Sequence, residues 1–208
     1  MDGQVIISIG REFGSGGHEV AELIAQKLEI FLIDDKLLYD LAAEKKIPYE
    51  EMKKYDERPK KPFLSRTVAG FTNAMEEHLA KMQFDYLRKM ADKGESFVIV
   101  GRCSEFVLKD YPCMTSAFIS GDVKTKCERV MKKYELSADE AKKLMKKKDA
   151  TRKAYHNYYC EGKWGDSRNY DLCINSSTIG IEGTAGVIMA YVESKAKGDN
   201  KGDDKGDK

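Results

Sequence analysis

The sequence predicts an α/β fold, a doubly wound sheet of five parallel strands with helices packed on both faces. Five short apolar segments alternate with helical patterns along the 208 residues, which is the order typical of this fold class. The first of these segments is continuously apolar, as expected for a strand buried on both faces of a parallel sheet. A glycine-rich turn follows it, and ligands of such folds bind beyond the carboxyl ends of the strands.

The first half of the chain starts with that strand and continues largely as helix. Apolar residues recur at helical spacing from Val20 to Leu28, Pro48 suits a first helical turn, and Gly94 is a typical helix C-cap. The predicted elements of this half are strands over residues 5–9 and 31–33, helices over 16–28, 36–45 and 67–93, and a shorter helix from Pro48.

The second half returns to a regular alternation of strand and helix. Ser137, with Glu140 three residues later, forms a capping box and predicts the start of a helix. Residues 198–208 contain only glycine, asparagine and alternating charge, which predicts a disordered tail after a single domain over residues 1–197. The other predicted elements are strands over 97–100, 114–119 and 171–175 and helices over 122–133 and 181–193.

Composition excludes several classes of protein. The 36 basic and 35 acidic residues give a net charge of +1, so charge predicts neither a nucleic-acid nor a membrane partner. No apolar run approaches the ~18 residues of a membrane span, and we expect a cytoplasmic protein. The five cysteines are odd in number and widely spaced, without a C-x-x-C pair. That pattern argues against a disulfide framework and against a zinc site, and it favours reduced core thiols.

The glycine-rich turn is the most informative segment of the chain. Gly14, Gly16 and Gly17 allow left-handed backbone conformations and close approach of a ligand, and the following helix presents free N–H groups to an anion. The turn resembles the phosphate-binding loop of nucleoside monophosphate kinases. Gly17, however, stands where that loop has its lysine, and His18 stands where Ser or Thr binds magnesium. Arg11 is predicted to supply the charge; the alternative is a glycine-rich turn without a ligand.

Two further groups of residues are candidates for phosphate binding. Lys148, Asp149 and Arg152 fall within one turn of a helix, where the carboxylate is spaced to orient the arginine toward an anion. A lysine-rich helix is also typical of a solvated face, but after the phosphate loop this one resembles a kinase lid. Arg102 follows a buried strand and Gly101, a position that aims it into the cleft or into an ion pair at the sheet edge.

These pieces together resemble the cytidylate kinase-like family over residues 4–193. The resemblance depends on the combination rather than on any one motif. The motifs are Ile9-Gly-Arg-Glu-Phe-Gly-Ser-Gly-Gly, Ile33-Asp34-Asp35, Val98-Ile-Val-Gly-Arg-Cys103, Lys-x-Asp-x-x-Arg-x-x-Tyr ending at Tyr155, Lys163-Trp164-Gly165 and Tyr170-Asp171-Leu172.

The resemblance implies a P-loop kinase that transfers a phosphoryl group from ATP to CMP or dCMP, with Mg²⁺ as second cofactor. It also implies an acceptor-binding helical region over about 35–95 and a lid over about 137–165. Neither the magnesium ligands nor the oligomeric state is predicted. The implied site residues are Arg11, Arg129 and Arg152 for catalysis, Gly14, Ser15, Gly16, Gly17, His18, Lys148 and Asp149 for ATP, and Arg102 with Asp34 or Asp35 for the acceptor.

Two other functions compete with this hypothesis. The same fold can hold a nucleotide for regulation without catalysis, and Gly17 and His18 favour that alternative. A dinucleotide-binding oxidoreductase is suggested by Asp34, twenty residues beyond Gly14, but Glu19 occupies the position where G-x-G-x-x-G requires glycine. Asp34 or Asp35 is equally suited to cap a helix.

Overall fold

The computed structural model describes residues 3–34, 41, 43, 49, 50 and 72–199. Asp35, most of the predicted helix 36–45, the start of the helix predicted at Pro48 and the tail beyond residue 199 lie outside the described residues. The division into a lid and an acceptor-binding region stays a prediction.

Five parallel strands form one sheet in the order β2-β3-β1-β4-β5. The predicted fold class, a parallel sheet flanked by helices, is confirmed. β1 lies at the centre, and its carboxyl end opens into the glycine-rich loop between its two neighbours. The strands are β1 (Ile6–Arg11), β2 (Phe31–Ile33), β3 (Phe97–Val100), β4 (Met114–Ser120) and β5 (Leu172–Asn175).

Helices connect the strands and cover both faces of the sheet. The capping box predicted at Ser137 and Glu140 is present, and Gly94 follows the long helix in a left-handed conformation with φ of 75°. The helices are α1 (Gly17–Leu28), α2 (Thr72–Asp92), α3 (Ser104–Val107), α4 (Val123–Tyr134), α5 (Ala138–Tyr159) and α6 (Ser176–Asp199).

Two elements differ from the sequence prediction. α3 was not predicted, because four residues are too few to show a helical period. α6 begins before the predicted residue 181, but Gly180 interrupts it with φ of 71° and ψ of −176°, so a regular helix does begin after that kink. α6 also extends to Asp199, two residues into the segment predicted to be disordered.

The sheet separates two hydrophobic cores because alternate residues of each strand face opposite sides. Ile6, Phe97 and Ile99 belong to the core shared with α2, and Ile7 and Val98 belong to the core shared with α1 and α6. β1 and β3 are therefore buried on both sides, as their continuous apolar sequences predict. Among the described helices, none combines the length and the apolar character needed to cross a membrane.

Candidate active site

The loop between β1 and α1 forms a cradle of backbone N–H groups. Gly16 is the N-cap of α1 with φ of 81°, and no described side chain caps the helix there. The first N–H groups of an α-helix lack acceptors within the helix, so this turn presents donors and the positive end of the helix dipole. Gly14 is also left-handed, with φ of 82°. This arrangement suits the binding of a phosphate group.

Packing behind the loop holds its shape. A Cβ at Gly14 would lie 2.8 Å from Val130 Cγ2, and a Cβ at Gly16 would collide with the side chain of Ile181. The hydroxyl of the buried Ser15 donates to the carbonyl of Glu12 at 2.9 Å. The loop therefore turns its backbone, rather than side chains, toward a ligand.

Arg11 occupies the space that a side chain at position 17 would need. It is the last residue of β1, and a Cβ at Gly17 would lie 2.5 Å from the Cβ of Arg11. Its guanidinium lies against Gly101 at the end of β3, where an added Cβ would collide with Nη1. A lysine at position 17 and Arg11 thus exclude each other sterically. The cation beside this loop belongs to the strand instead of the helix.

Arg129 of α4 contacts the same loop from the opposite side. Its Nη1 donates to the carbonyl of Ser15 at 2.9 Å and lies 3.4 Å from the carbonyl oxygen of Gly14. The hydroxyl of Ser176, at the start of α6, also donates to the Ser15 carbonyl. The guanidinium of Arg129 therefore fixes the loop backbone while it lines the cleft beside it.

Glu12 and the buried Lys126 form a partly buried ion pair that the sequence does not predict. The Lys126 ammonium donates to Glu12 Oε2 at 2.7 Å, and the N–H of Gly121 donates to the same oxygen at 3.2 Å. The Lys126 side chain is only 7% exposed. These residues are 114 positions apart, and a lysine on a charged helix gives no sign of such a partner. The pair ties α4 to the loop.

The basic helix α5 lies against the loop through Phe13. The N–H of Phe13 donates to Asp149 Oδ1 at 2.7 Å, and the Arg152 guanidinium carbon lies 5.4 Å from the centre of the Phe13 ring. Arg152 Nη1 is 3.5 Å from the carbonyl oxygen of Arg11. Burial raises the pKa of Asp149, although the Phe13 N–H and the charges of Lys126 and Arg152 oppose that shift. Asp149 thus engages the loop backbone directly.

Some of the other predicted site residues line the cleft and some do not. Lys148 lines the cleft from α5, and His18 lies 3.7 Å from the Asp34 carboxylate on the opposite wall. Arg102 is 3% exposed, with φ of 62°, and is not among the described residues that line the cleft. Asp35 lies outside the described residues.

The cleft that these residues line has a volume of about 810 Å³. Arg11, Arg129, Lys148 and Arg152 give it a cationic wall around the glycine-rich loop. It runs from the loop to α5, so a triphosphate bound at the loop would extend beneath the basic helix. Residues that sequence reasoning missed here include Glu12, Phe13, Lys132, Lys133, Tyr134 and Thr151.

A second group of polar side chains lies apart from this cleft. His156 Nε2 is 2.5 Å from Glu105 Oε1, and both residues are buried together with Cys160. Burial opposes the charge on His156, but hydrogen bonds to Cys160 and Glu105 outweigh it and raise its pKa to about 10. A hydrogen bond from Cys103 lowers the pKa of Cys160 to about 7. The sequence predicts these cysteines to be reduced core thiols and offers no sign of the neighbours of Cys160.

Comparison with protein families gives one match that covers most of the chain. The model of the cytidylate kinase-like family matches residues 6–178. A cytidylate kinase of Archaeoglobus fulgidus is 27% identical in an alignment of 201 positions that covers 94% of this chain and 99% of that protein. The match includes the glycine-rich loop, the arginines of the cleft and the basic helix.

Solved structures share the same architecture. An uncharacterized protein from Eubacterium ventriosum is 41% identical, with a TM-score of 0.74 over 92% of this chain and 99% of that chain. A shikimate kinase from Bacteroides thetaiotaomicron is 14% identical, with a TM-score of 0.53 over 91% of this chain and 98% of that chain. The second likeness shows the fold alone.

Proposed function

The chain belongs to the cytidylate kinase-like family, and from that premise we propose that it transfers the γ-phosphoryl group of ATP to CMP or dCMP. Family membership and the kinase fold support nucleotide kinase activity in general. The choice of a cytidine acceptor is the finer part of the proposal. It is supported by the likeness to a cytidylate kinase at 27% identity.

One observation carries the proposal: three arginines from three different elements converge on the glycine-rich loop. Arg11 reaches it from β1, Arg129 from α4 and Arg152 from α5. Phosphoryl transfer needs little covalent help from a protein, but it needs cations around the transferring group. Arginine suits this purpose because its planar fork binds two phosphate oxygens and keeps its charge.

In this proposal the loop from Gly14 to His18 holds the phosphates of ATP. Its N–H groups and the N-terminus of α1 bind the oxygens, and Arg11 supplies the charge that lysine provides in other loops. Arg152 and Lys148 reach the transferring group from α5 and exclude water when that helix closes over it. Asp149 holds α5 against the loop through the Phe13 N–H.

Magnesium, which the family implies, neutralises charge on the β- and γ-phosphates when bound. It takes most of its ligands from phosphates and water, so one or two protein carboxylates are enough. The described carboxylates that line the cleft are Glu12, Glu19 and Asp34. Glu12 accepts hydrogen bonds from Lys126 and Gly121, and Asp34 lies 3.7 Å from His18, so none of the three is assigned to the ion. His18, at the position of the usual Ser or Thr, is a poor ligand for such a hard cation.

The acceptor is assigned to Arg102 and to Asp34 or Asp35. Asp34 follows β2 and lies on the cleft wall, which supports a role near the acceptor nucleoside. Arg102 is kept in the proposal on the family resemblance alone, because its side chain is buried and is not among the described residues that line the cleft. The five cysteines form no disulfide, which fits a reducing compartment, and we propose a cytoplasmic location.

A nucleotide-binding module without turnover is the second candidate. Gly17 and His18 favour it, since both residues replace side chains that act on ATP and magnesium in standard loops. Loss of one well-placed stabiliser typically lowers kcat by ~10²-fold to 10³-fold. Arg11 offsets that loss only if its charge reaches the phosphates.

A panel of nucleoside monophosphates tests the proposal. Each is incubated with the protein, ATP and Mg²⁺, and ADP formation is measured beside thermal stabilisation by each nucleotide. We expect turnover with CMP or dCMP above that with the other monophosphates. Stabilisation by ATP without ADP formation for any acceptor would favour the non-catalytic module. Turnover with a different acceptor would support kinase activity but would contradict the assignment of CMP or dCMP as the acceptor.

A further inference from the structure

A second cavity lies between α3 and the C-terminal end of α5. It has a volume of about 390 Å³ and shares no lining residue with the cleft at the glycine-rich loop. Glu105, His156 and Cys160 line it. Glu105 comes from α3, whereas His156 lies in the last turn of α5 and Cys160 is its C-cap. The phosphoryl-transfer proposal uses none of these three side chains.

The three side chains bring together one carboxylate oxygen, one imidazole nitrogen and one sulfur. Their donor atoms all lie within 4.8 Å of one another, and all three residues are buried. In the described part of the chain, this is the one group of three or more His, Cys, Asp or Glu side chains so arranged. His156 and Cys160 are four positions apart at the end of one helix, so they share a face.

The donor set selects the kind of ligand. Sulfur and imidazole nitrogen favour zinc among the common divalent cations, whereas magnesium and calcium take oxygen ligands. Three protein ligands with a fourth position open to solvent are a frequent zinc arrangement. In the metal-free protein the proton on His156 compensates the buried Glu105 carboxylate, and a bound cation would take over that charge.

We propose that Glu105, His156 and Cys160 bind one zinc ion whose fourth coordination position faces this cavity. Binding displaces the proton that His156 shares with Glu105 and the thiol proton of Cys160. Cys103, which hydrogen-bonds Cys160, stands beside the site. The ion would fasten the end of α5 to α3, which follows β3. The inference is independent of the proposed phosphoryl transfer.

Metal titration of the full chain tests the site. The protein is stripped with a chelator, and zinc binding is measured for the wild type, Cys160→Ser, His156→Gln and Cys173→Ser. Cys173→Ser is the matched control, because this thiol is exposed on β5. We expect one zinc per chain in the wild type and the control. Cys160→Ser and His156→Gln should weaken binding by more than the ~10-fold to 100-fold typical of losing an outer partner.

Cobalt(II) provides a readout that needs no variant to fold. Cobalt bound at this site should show the thiolate-to-metal absorption band in the wild type and in Cys173→Ser. A wild type that lacks the band, or that binds zinc no more tightly than Cys160→Ser, would overturn the proposal. Equal loss of zinc in Cys173→Ser would overturn it too, because the ion would then lie elsewhere.

Discussion

Arg11 shows how one residue can change the design of a phosphate-binding loop. A lysine in the first turn of a helix is flexible and projects from the helix, whereas Arg11 is fixed at the end of the central strand. Its stem covers Gly17 and its guanidinium covers Gly101. Arg11 therefore explains the glycine at position 17, whereas Gly101 also has a left-handed φ of 76° that favours glycine by itself.

Gly17→Lys tests this steric relation. The new side chain would meet Arg11 Cβ at 2.5 Å, and such overpacking typically costs about 1–3 kcal/mol of unfolding free energy. Adding Arg11→Gly should recover much of that loss, because it removes the atoms in conflict. Urea unfolding of Gly17→Lys, Arg11→Gly and the double variant measures the coupling between the two positions. Gly186→Lys is the control and should lose no stability, because this helical position has open space around it. Additive effects of Gly17→Lys and Arg11→Gly on the unfolding free energy would contradict the steric account.

Asp149 predicts a pH dependence of stability. Burial raises its pKa in the folded chain above the ordinary 3.8, so the folded state favours the protonated carboxyl. The stability contribution of this residue is then full below pH 3.8 and declines as the pH rises through the folded pKa. Asp149→Asn keeps an acceptor for the Phe13 N–H and does not titrate. The unfolding free energy of Asp149→Asn minus that of the wild type should therefore be larger at neutral pH than at acidic pH. The same difference at both pH values would exclude this shift.

At the scale of elements, α5 joins several functions in one helix. The helix begins at the capping box of Ser137, and Asp149 and Arg152 in its middle contact the segment around the glycine-rich loop. His156 in its last turn lines the second cavity. Any change that frays or shifts this helix therefore acts at both sites. The helix covers residues of the segment predicted to be a lid, and its closure stays a prediction.

Ser137→Ala tests the start of this helix. The Ser137 hydroxyl is the N-cap acceptor for the Glu140 N–H, and the Glu140 carboxylate accepts from the Ser137 N–H at 3.0 Å. Loss of a serine cap typically costs about 1 kcal/mol. Thermal or urea unfolding measures the change. Ser194→Ala is the matched control, since that hydroxyl donates to a carbonyl within a helix; an equal loss in both variants would show that the cap contributes nothing of its own.

At the scale of the molecule, the parallel sheet brings distant segments to one edge. β1, β3 and β4 end side by side, so the glycine-rich loop, the turn at Gly101 and the start of α4 meet there. The arginines of the cleft are spread over more than a hundred positions of sequence. The sheet rather than any one motif determines their convergence.

Arg152→Ala is the prediction that weighs most on the proposed activity. Its charge should act chiefly on the transition state, where negative charge is spread over the oxygens of the transferring group and develops on the leaving oxygen. We expect kcat and kcat/KM to fall together by ~10²-fold or more, with little change in ATP affinity. Lys142→Ala, on the exposed face near the start of the same helix, serves as the comparison and should keep full activity. Full turnover by Arg152→Ala would remove this arginine from the mechanism.

The sequence predicted the sheet and the loop because both depend on local signals. Largely apolar, β-branched runs such as Ile6–Ile9 predict buried strands, and the clustered glycines predict a tight turn before the first helix. The Glu12–Lys126 pair and the Glu105–His156–Cys160 group depend on contacts between segments far apart in sequence, for which local pattern gives no signal. The burial of Arg102 and its left-handed backbone were equally hidden, because arginine is usually exposed and a positive φ is uncommon outside glycine.

The packing of Arg11 against Gly17 also limits how this loop can change over generations. A lineage that starts with the arginine and acquires lysine at position 17 first passes through a crowded loop, and one that first loses the arginine passes through a loop without either cation. Each single substitution is therefore disfavoured, although a loop in which both residues have changed contains no steric conflict. Loops with a strand-borne arginine and loops with a helix-borne lysine should therefore persist as separate lineages, and chains with both residues or with neither should be rare.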